Sequence, residues 1–306
     1  MLKFILKRTL ISIPVLIGVI FLTFIMLNVV PGDPITIMMK EHIKPDAIEK
    51  LREKMNLDAP PIVRFIKYLG GVFKGDFGIS YKLNRSVGEL IAQAFPSTLK
   101  LAAAGAIVSW IIGIPIGVLS AIKKGTFIDY FFMGFALCGI SMPVFWIGLM
   151  MQYIFSYKLG WLDVSGFTSF KQLIMPAFVL GGGASGTIAR LTRSSLLEVM
   201  KNDYIRTARA KGVREIGVVG GHALKNSLLP VITVMAIQIA SLMSGAVIIE
   251  SIFGIPGIGR LSVNAIQNRD MPLLQGTVVF TTILIIAGNL AADILYSFID
   301  PRIRIE

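Results

Sequence analysis

A chain of 306 residues that is 54% hydrophobic and only 16% charged, with a mean hydropathy of +0.74, is too apolar for a soluble domain and falls in the membrane class. Its net charge of +12 does not call for nucleic acid, because the largest concentration of basic residues lies in short loops between apolar runs, where membrane topology accounts for it. The single cysteine, Cys138, excludes an intrachain disulfide.

Six charge-free runs, 9–32, 101–122, 130–157, 172–189, 226–249 and 271–292, are long enough to cross a hydrocarbon core about 30 Å thick, which takes roughly 20 residues at helical rise. Uninterrupted apolar runs fit helices and not alternating barrel strands. The expected fold is therefore an all-α polytopic membrane protein with six transmembrane helices. The first run follows Lys3, Lys7 and Arg8 and ends in "VVPGDP", not in a small-x-small cleavage site, so it is expected to stay as a span. In the outer segment that comes next, Ile48, Leu51 and Met55 predict one amphipathic helix, broken near Pro60 and Pro61. Ile62, Phe65, Ile66 and Leu69 predict a second, lying on the membrane surface or on the spans. Within the spans, Pro14, Pro115, Pro143, Pro176 and Pro230 favour kinks, while "IGIPIGV" and "GGGASG" supply small residues for close helix packing.

Basic residues set the orientation. With the N-terminus cytoplasmic, fifteen Lys and Arg fall in inner segments, eight of them between Arg190 and Lys225, and only Lys158, Lys171, Arg260 and Arg269 fall in short outer loops. Both termini are expected inside. The chain then divides into 1–32, the N-terminus and first span; 33–100, an outer segment with short amphipathic helices; and 101–306, a five-helix core that includes the cytoplasmic loop 190–225.

Motifs that look catalytic fail on context. "GGGASG" matches a dinucleotide-binding pattern but sits inside a span, not at a strand-to-helix turn. Its Gly183-Ala184-Ser185-Gly186 resembles the serine motif of intramembrane proteases, yet the only histidines, His42 and His222, lie in loops and leave the serine without a base. No Gly-Lys-Ser or Gly-Lys-Thr occurs, so any ATP and magnesium must bind a partner chain. Neither a catalytic pair nor a metal-ligand set is expected, and no cofactor in this chain. Polar groups inside the spans are Gln152, Gln238, Ser241, Ser244, Asn289 and, at an edge, Asp293. The lack of midplane carboxylates disfavours an ion-driven carrier. Gln238 and Ser241 share a helix face that Ser244 continues. With Asn289 they are candidates for lining a translocation path, although hydrogen bonding between packed helices accounts for any one of them alone.

The loop between the fourth and fifth spans is the most distinctive stretch. Ile205, Ala208 and Gly212 form a small or apolar strip beside Arg206, Lys211 and Arg214, and Gly212 can end one helix and turn the chain into another. The stretch "ARLTRSSLLEVMKNDYIRTARAKG", 189–212, resembles the cytoplasmic signature of ABC importer permeases of the dipeptide, oligopeptide and nickel branch. The likeness continues in "VVPGDP", "GDFGISY", "SMPVFWIGL" and "FGIPGIGRL", in order along the chain. Arg206-Thr207-Ala208 stands where the broader family has Glu-Ala-Ala, and Leu229-Pro230 comes late, as in that branch. Contacts attributed to the family glutamate therefore do not carry over.

The resemblance implies a type I importer permease in the plasma membrane of a prokaryote. Its partners would be a homologous permease, two cytoplasmic ATPases and an extracytoplasmic solute-binding protein, in contact with lipid and not with nucleic acid. Asp203, Tyr204, Arg206, Thr207, Ala208, Arg209, Lys211 and Gly212 would form the coupling helix seated on an ATPase. Phe253, Pro256, Gly257 and Arg260 would help to dock the binding protein. The implied substrate is a di- or oligopeptide, with nickel or its chelate and then glutathione as alternatives.

Overall fold

The computed structural model describes residues 2–29 and 59–299, with side chains at 6–26, 59–243 and 246–294. The helix predicted from Ile48, Leu51 and Met55 lies outside the described residues. Within them the chain is helical, with no β-strand beyond one isolated bridge between Ile79 and Ser86. In order, the helices are α1 (Leu2–Val29), α2 (Pro61–Phe73), α3 (Val87–Ile122), α4 (Phe127–Ser141), α5 (Val144–Met151), α6 (Phe170–Val199), α7 (Asp203–Ala210), α8 (Leu224–Gly245), α9 (Val247–Phe253), α10 (Ile258–Gln267) and α11 (Met271–Ile299).

Among the described residues, five stretches are long and apolar enough to cross a membrane: Leu6–Met26, Val87–Ile122, Phe170–Val199, Glu215–Met243 and Met271–Ile294. The remaining predicted span, 130–157, is not straight. It is broken at Met142 and Pro143, where α4 meets the Val144–Lys158 segment at 103°. Proline has no N–H to donate, and its ring drives the preceding residue out of the helical region; Met142 accordingly sits at ψ 137°. Helices run unbroken through Pro14, Pro115, Pro176 and Pro230, so only one of the five prolines singled out turns the chain sharply. Past α5 the helix widens into a π-helical turn, Gln152–Lys158, where the Gln152 amide donates to the carbonyls of Val164 and Ile252.

The described residues fall into two compact units, 1–98 with 256–286 and 99–255 with 287–306. In the first, α2 is amphipathic as predicted, but only half of its stripe turns inward. Phe65 and Val72 pack with Ile20 and Phe24 of α1 and Val279 of α11, while Ile62 and Ile66 stay exposed. "GDFGISY" forms the turn that follows. Gly75 and Gly78 take positive φ, at 79° and 88°, and the Asp76 carboxylate accepts the Gly78 N–H at 2.9 Å. The turn is fastened by Asp270, the residue before α11, which accepts from the Ser80 hydroxyl and from the N–H groups of Tyr81 (3.1 Å), Lys82 (3.2 Å) and Leu273 (3.3 Å). Burial beside this carboxylate pushes the Tyr81 phenol up to about 12, so it is neutral at physiological pH.

In the second unit α6 is the central element, touching α3, α4, α5 and α8. Its glycines and those of α3 let the backbones meet. A Cβ on Gly117 would stand 2.5 Å from the Ala189 carbonyl oxygen, one on Gly113 2.7 Å from that of Ser185, and one on Gly186 2.5 Å from that of Ala136. "GGGASG" is thus a packing surface. Its Ser185 hydroxyl donates to the Gly182 carbonyl of its own helix at 2.6 Å. Phe253 of α9 closes the adjoining core with Leu101, Met175, Val179 and Leu242.

Overpacking costs about 1–3 kcal/mol per site. Gly117→Leu and Gly186→Leu are therefore expected to lower the thermal midpoint of the detergent-purified protein. Gly182→Ala, whose added methyl meets nothing within 4 Å, is expected not to. A melting scan of the three variants checks this.

Candidate functional site

The α6–α8 connection is a folded unit and not a solvated loop. After Val199 the chain turns through Met200–Asn202 into α7, with the N–H groups of Ile205 and Arg206 bonded to the Asn202 carbonyl. At the other end the Gly212 N–H donates to Arg209 O (2.9 Å) and the Val213 N–H to Ala208 O (3.3 Å). This is the paired bonding of a Schellman C-cap, which needs a left-handed residue between helix and exit. Gly212 supplies it at φ 75°. The chain continues through Glu215–Gly217 and a π-helical turn, Val218–Ala223, into α8. Arg209 braces the turn from outside, its Nε and Nη2 donating to the two Glu215 oxygens at 3.1 and 2.7 Å. Both side chains are well exposed, so the pair contributes at most about 1 kcal/mol.

The apolar strip faces the chain's own core. Ile205 and Ala208 are buried against Ala121, Leu196, Val218, Val219 and Ala223. They attach α7 to its own chain and are not available for insertion into a partner. Spacing reveals that a strip exists, but not which side carries the complementary surface, and Val218 and Val219 supply it here. The outward face consists of Asp203, Arg206, Thr207 and Lys211, all exposed, with Tyr204 partly so. Asp203 and Arg206 pair loosely at 3.6 Å. The Tyr204 hydroxyl accepts from Asn226 Nδ2 at 3.0 Å, tying α7 to the start of α8. Beside this face Ile216 is 89% exposed. The sequence reading passed over it, although an isoleucine between Glu215 and Gly217 in a polar loop was a visible signal.

The path candidates separate. Gln238 and Ser241 line an open cleft of about 320 Å³ with Leu180, Ala184, Thr187 and Ile237. Gln238 is also a fastener between helices. Its Oε1 accepts from Ser109 Oγ (3.3 Å) and Trp110 Nε1 (3.2 Å), and its Nε2 donates to the Ala184 carbonyl (3.1 Å). The Ser244 side chain lies outside the described residues. Asn289 is exposed on α11 and does not line this cleft. Glu250, one residue past the predicted fifth span, is fully buried on α9.

Of the docking candidates, Phe253 is 1% exposed and belongs to the core. Its assignment to a docking surface is corrected, because the ring packs with Leu101, Met175, Val179 and Leu242; the left-handed Gly254 (φ 67°) ends α9 directly after it. Pro256 is exposed, Gly257 buried and Arg260 half-buried. Gly257 precedes α10 in extended conformation, and the first amide of that helix, at Ile258, donates to Thr98 Oγ1 at 2.9 Å.

Residues 113–305 match the family model described as binding-protein-dependent transport system inner membrane component, and residues 1–102 match its N-terminal companion. The chain is 41% identical to the oligopeptide transport system permease protein AppB of Bacillus subtilis (strain 168), over 99% of this chain and 100% of that protein. It is 40% identical to the dipeptide transport system permease protein DppB of Escherichia coli (strain K12), over 99% of each. Among solved structures, the inward-facing MetNI methionine ABC transporter superposes with a TM-score of 0.59 at 19% identity, covering 69% of this chain and 96% of that one. An amino acid ABC transporter with histidines gives 0.56 at 12% identity, covering 69% and 94%. These two show the shared fold. The chain belongs to the family of binding-protein-dependent transport system inner membrane components and is a multi-pass permease subunit of an ABC importer, a transport component and not an enzyme.

Proposed function

We propose that this permease forms one half of the conduit of an ATP-driven importer of di- or oligopeptides, completed by a homologous permease, two cytoplasmic ATPases and an extracytoplasmic binding protein. Both termini are cytoplasmic in this reading, 33–100 is the outer segment and 190–225 the inner coupling loop, as the distribution of Lys and Arg supports. The peptide substrate is supported by relatives named for oligopeptide and dipeptide transport that align along nearly the whole chain.

The observation that carries the coupling role is the build of α7. Ile205 and Ala208 root it in the chain's own core, while Arg206, Thr207, Lys211 and Ile216 are left outward. A short helix rooted in this way passes a push from an ATPase to α6 and α8 without chemistry of its own. ATP binding favours one state of such a machine only through its higher affinity for that state. Pro256 and Arg260 remain the docking candidates on the outer side. The Gln238–Ser241 cleft is apolar with few hydrogen-bonding groups, which suits passage without tight retention and leaves first selection to the binding protein.

Two measurements test this reading. In proteoliposomes holding the complete transporter, binding protein loaded with di- or oligopeptides is expected to stimulate ATP hydrolysis, and nickel chelate is not; stimulation by the chelate alone would replace the substrate assignment. Lys211→Glu with Ile216→Asp alters two exposed positions outside the loop's core. The double variant is expected to insert and fold normally while uptake falls about tenfold or more. Undiminished uptake would remove this surface from coupling.

A further inference from the structure

Arg193 of α6 donates from Nε to Asp129 Oδ1 and from Nη2 to Asp129 Oδ2, both at 2.7 Å. Asp129 is only 2% exposed although it follows the exposed basic turn at Lys123 and Lys124. It lies in the first turn of α4, where a negative group also suits the helix dipole. The same carboxylate accepts the N–H of Gly125 at 3.0 Å, and Gly125 takes φ 76° to present it. One buried group thus holds three things: the turn 123–126, the start of α4 and the inner end of α6.

That end of α6 leads straight to the coupling loop. Leu196, one turn beyond Arg193, packs in the cluster that buries Ile205 and Ala208, and Ala121 at the end of α3 completes the same cluster. A bidentate guanidinium–carboxylate pair constrains direction as well as distance. Opening it would leave a charge buried without a partner, so it favours motion in which both helices travel together. Apolar contacts around α7 can slide; this link resists sliding.

We infer that the Asp129–Arg193 pair makes the turn 123–126 and the inner end of α4 move with the coupling loop as one body, so that Asp129 and Arg193 are positioning residues for the ATP-driven step. The inference rests on the coupling reading of α7. It concerns how a push at the loop spreads: through α6 and α8 by chain connection, and into the bent third span through this pair. The sharp break at Pro143 marks where that span can bend while its inner half follows the loop.

The experiment uses the full transporter in proteoliposomes and reads substrate imported per ATP hydrolysed, beside the amount assembled. Asp129→Leu with Arg193→Met removes the link without leaving a lone buried charge. It is expected to assemble normally and to import about tenfold less per ATP. Arg193→Lys, which keeps one charged hydrogen bond, is expected to recover part of the ratio. Asp129→Cys with Arg193→Cys, in a Cys138→Ser background, is expected to be uncoupled as the dithiol and to regain coupling once joined by a short bis-methanethiosulfonate, each cysteine thiolate displacing one methanesulfinate to form a mixed disulfide. Normal coupling in the Leu/Met variant, or loss of transport on cross-linking, would overturn the inference. Lys211→Glu with Ile216→Asp is run alongside: if that variant couples normally, the loop reading has failed, whereas if it uncouples and the Leu/Met variant does not, only the Asp129–Arg193 link has failed.

Discussion

The second unit depends on how closely α6 approaches α3 and α4. In a bilayer, apolar side chains gain nothing by leaving lipid for one another, so helix association relies on van der Waals contact and on a few polar links. Gly113 and Gly117 of α3 and Gly181 and Gly186 of α6 remove the side chains that would hold the backbones apart. One helix therefore runs from the cleft beside Gln238, past the α3 and α4 crossings, to the turn that leads into α7. A displacement of its C-terminal end would be carried along a stiff element already packed on both sides.

Polar side chains are then spent sparingly, each at a junction. Gln238 joins α8 to α3 and α6 through three hydrogen bonds. Asp270 holds the turn at Ser80–Lys82 to the start of α11. Asp129 and Arg193 hold α4 to α6. Each burial is compatible with the membrane setting because its acceptors are saturated by several donors, which offsets the cost of removing the group from water. The intervening surfaces are small or apolar and free to adjust.

This division suits an importer permease. The loop proposed to meet the ATPase is rooted by apolar contacts through Ile205 and Ala208, capped by Gly212 and braced by Arg209. Its outward face stays exposed. The cleft carries hydrogen-bonding groups without an ionisable side chain among its lining residues, which is compatible with the proposed ATP-driven step on a partner ATPase.

Hydropathy determined the membrane class and the apolar runs that became the spans, because length and apolarity act through the bilayer itself and need no tertiary contact. The turn at Gly212 was legible for a similar reason, since left-handed backbone selects glycine locally. Which proline bends a span, which way the Ile205–Ala208 strip faces and whether Phe253 is surface or core depend on what lies across from each residue. Nothing local in the sequence marks Asp129 or Asp270, because their partners are 64 residues away at Arg193 and 190 away at Ser80. Spacing along a chain records periodicity and local backbone demand, while pairing across such distances exists only once the helices have packed.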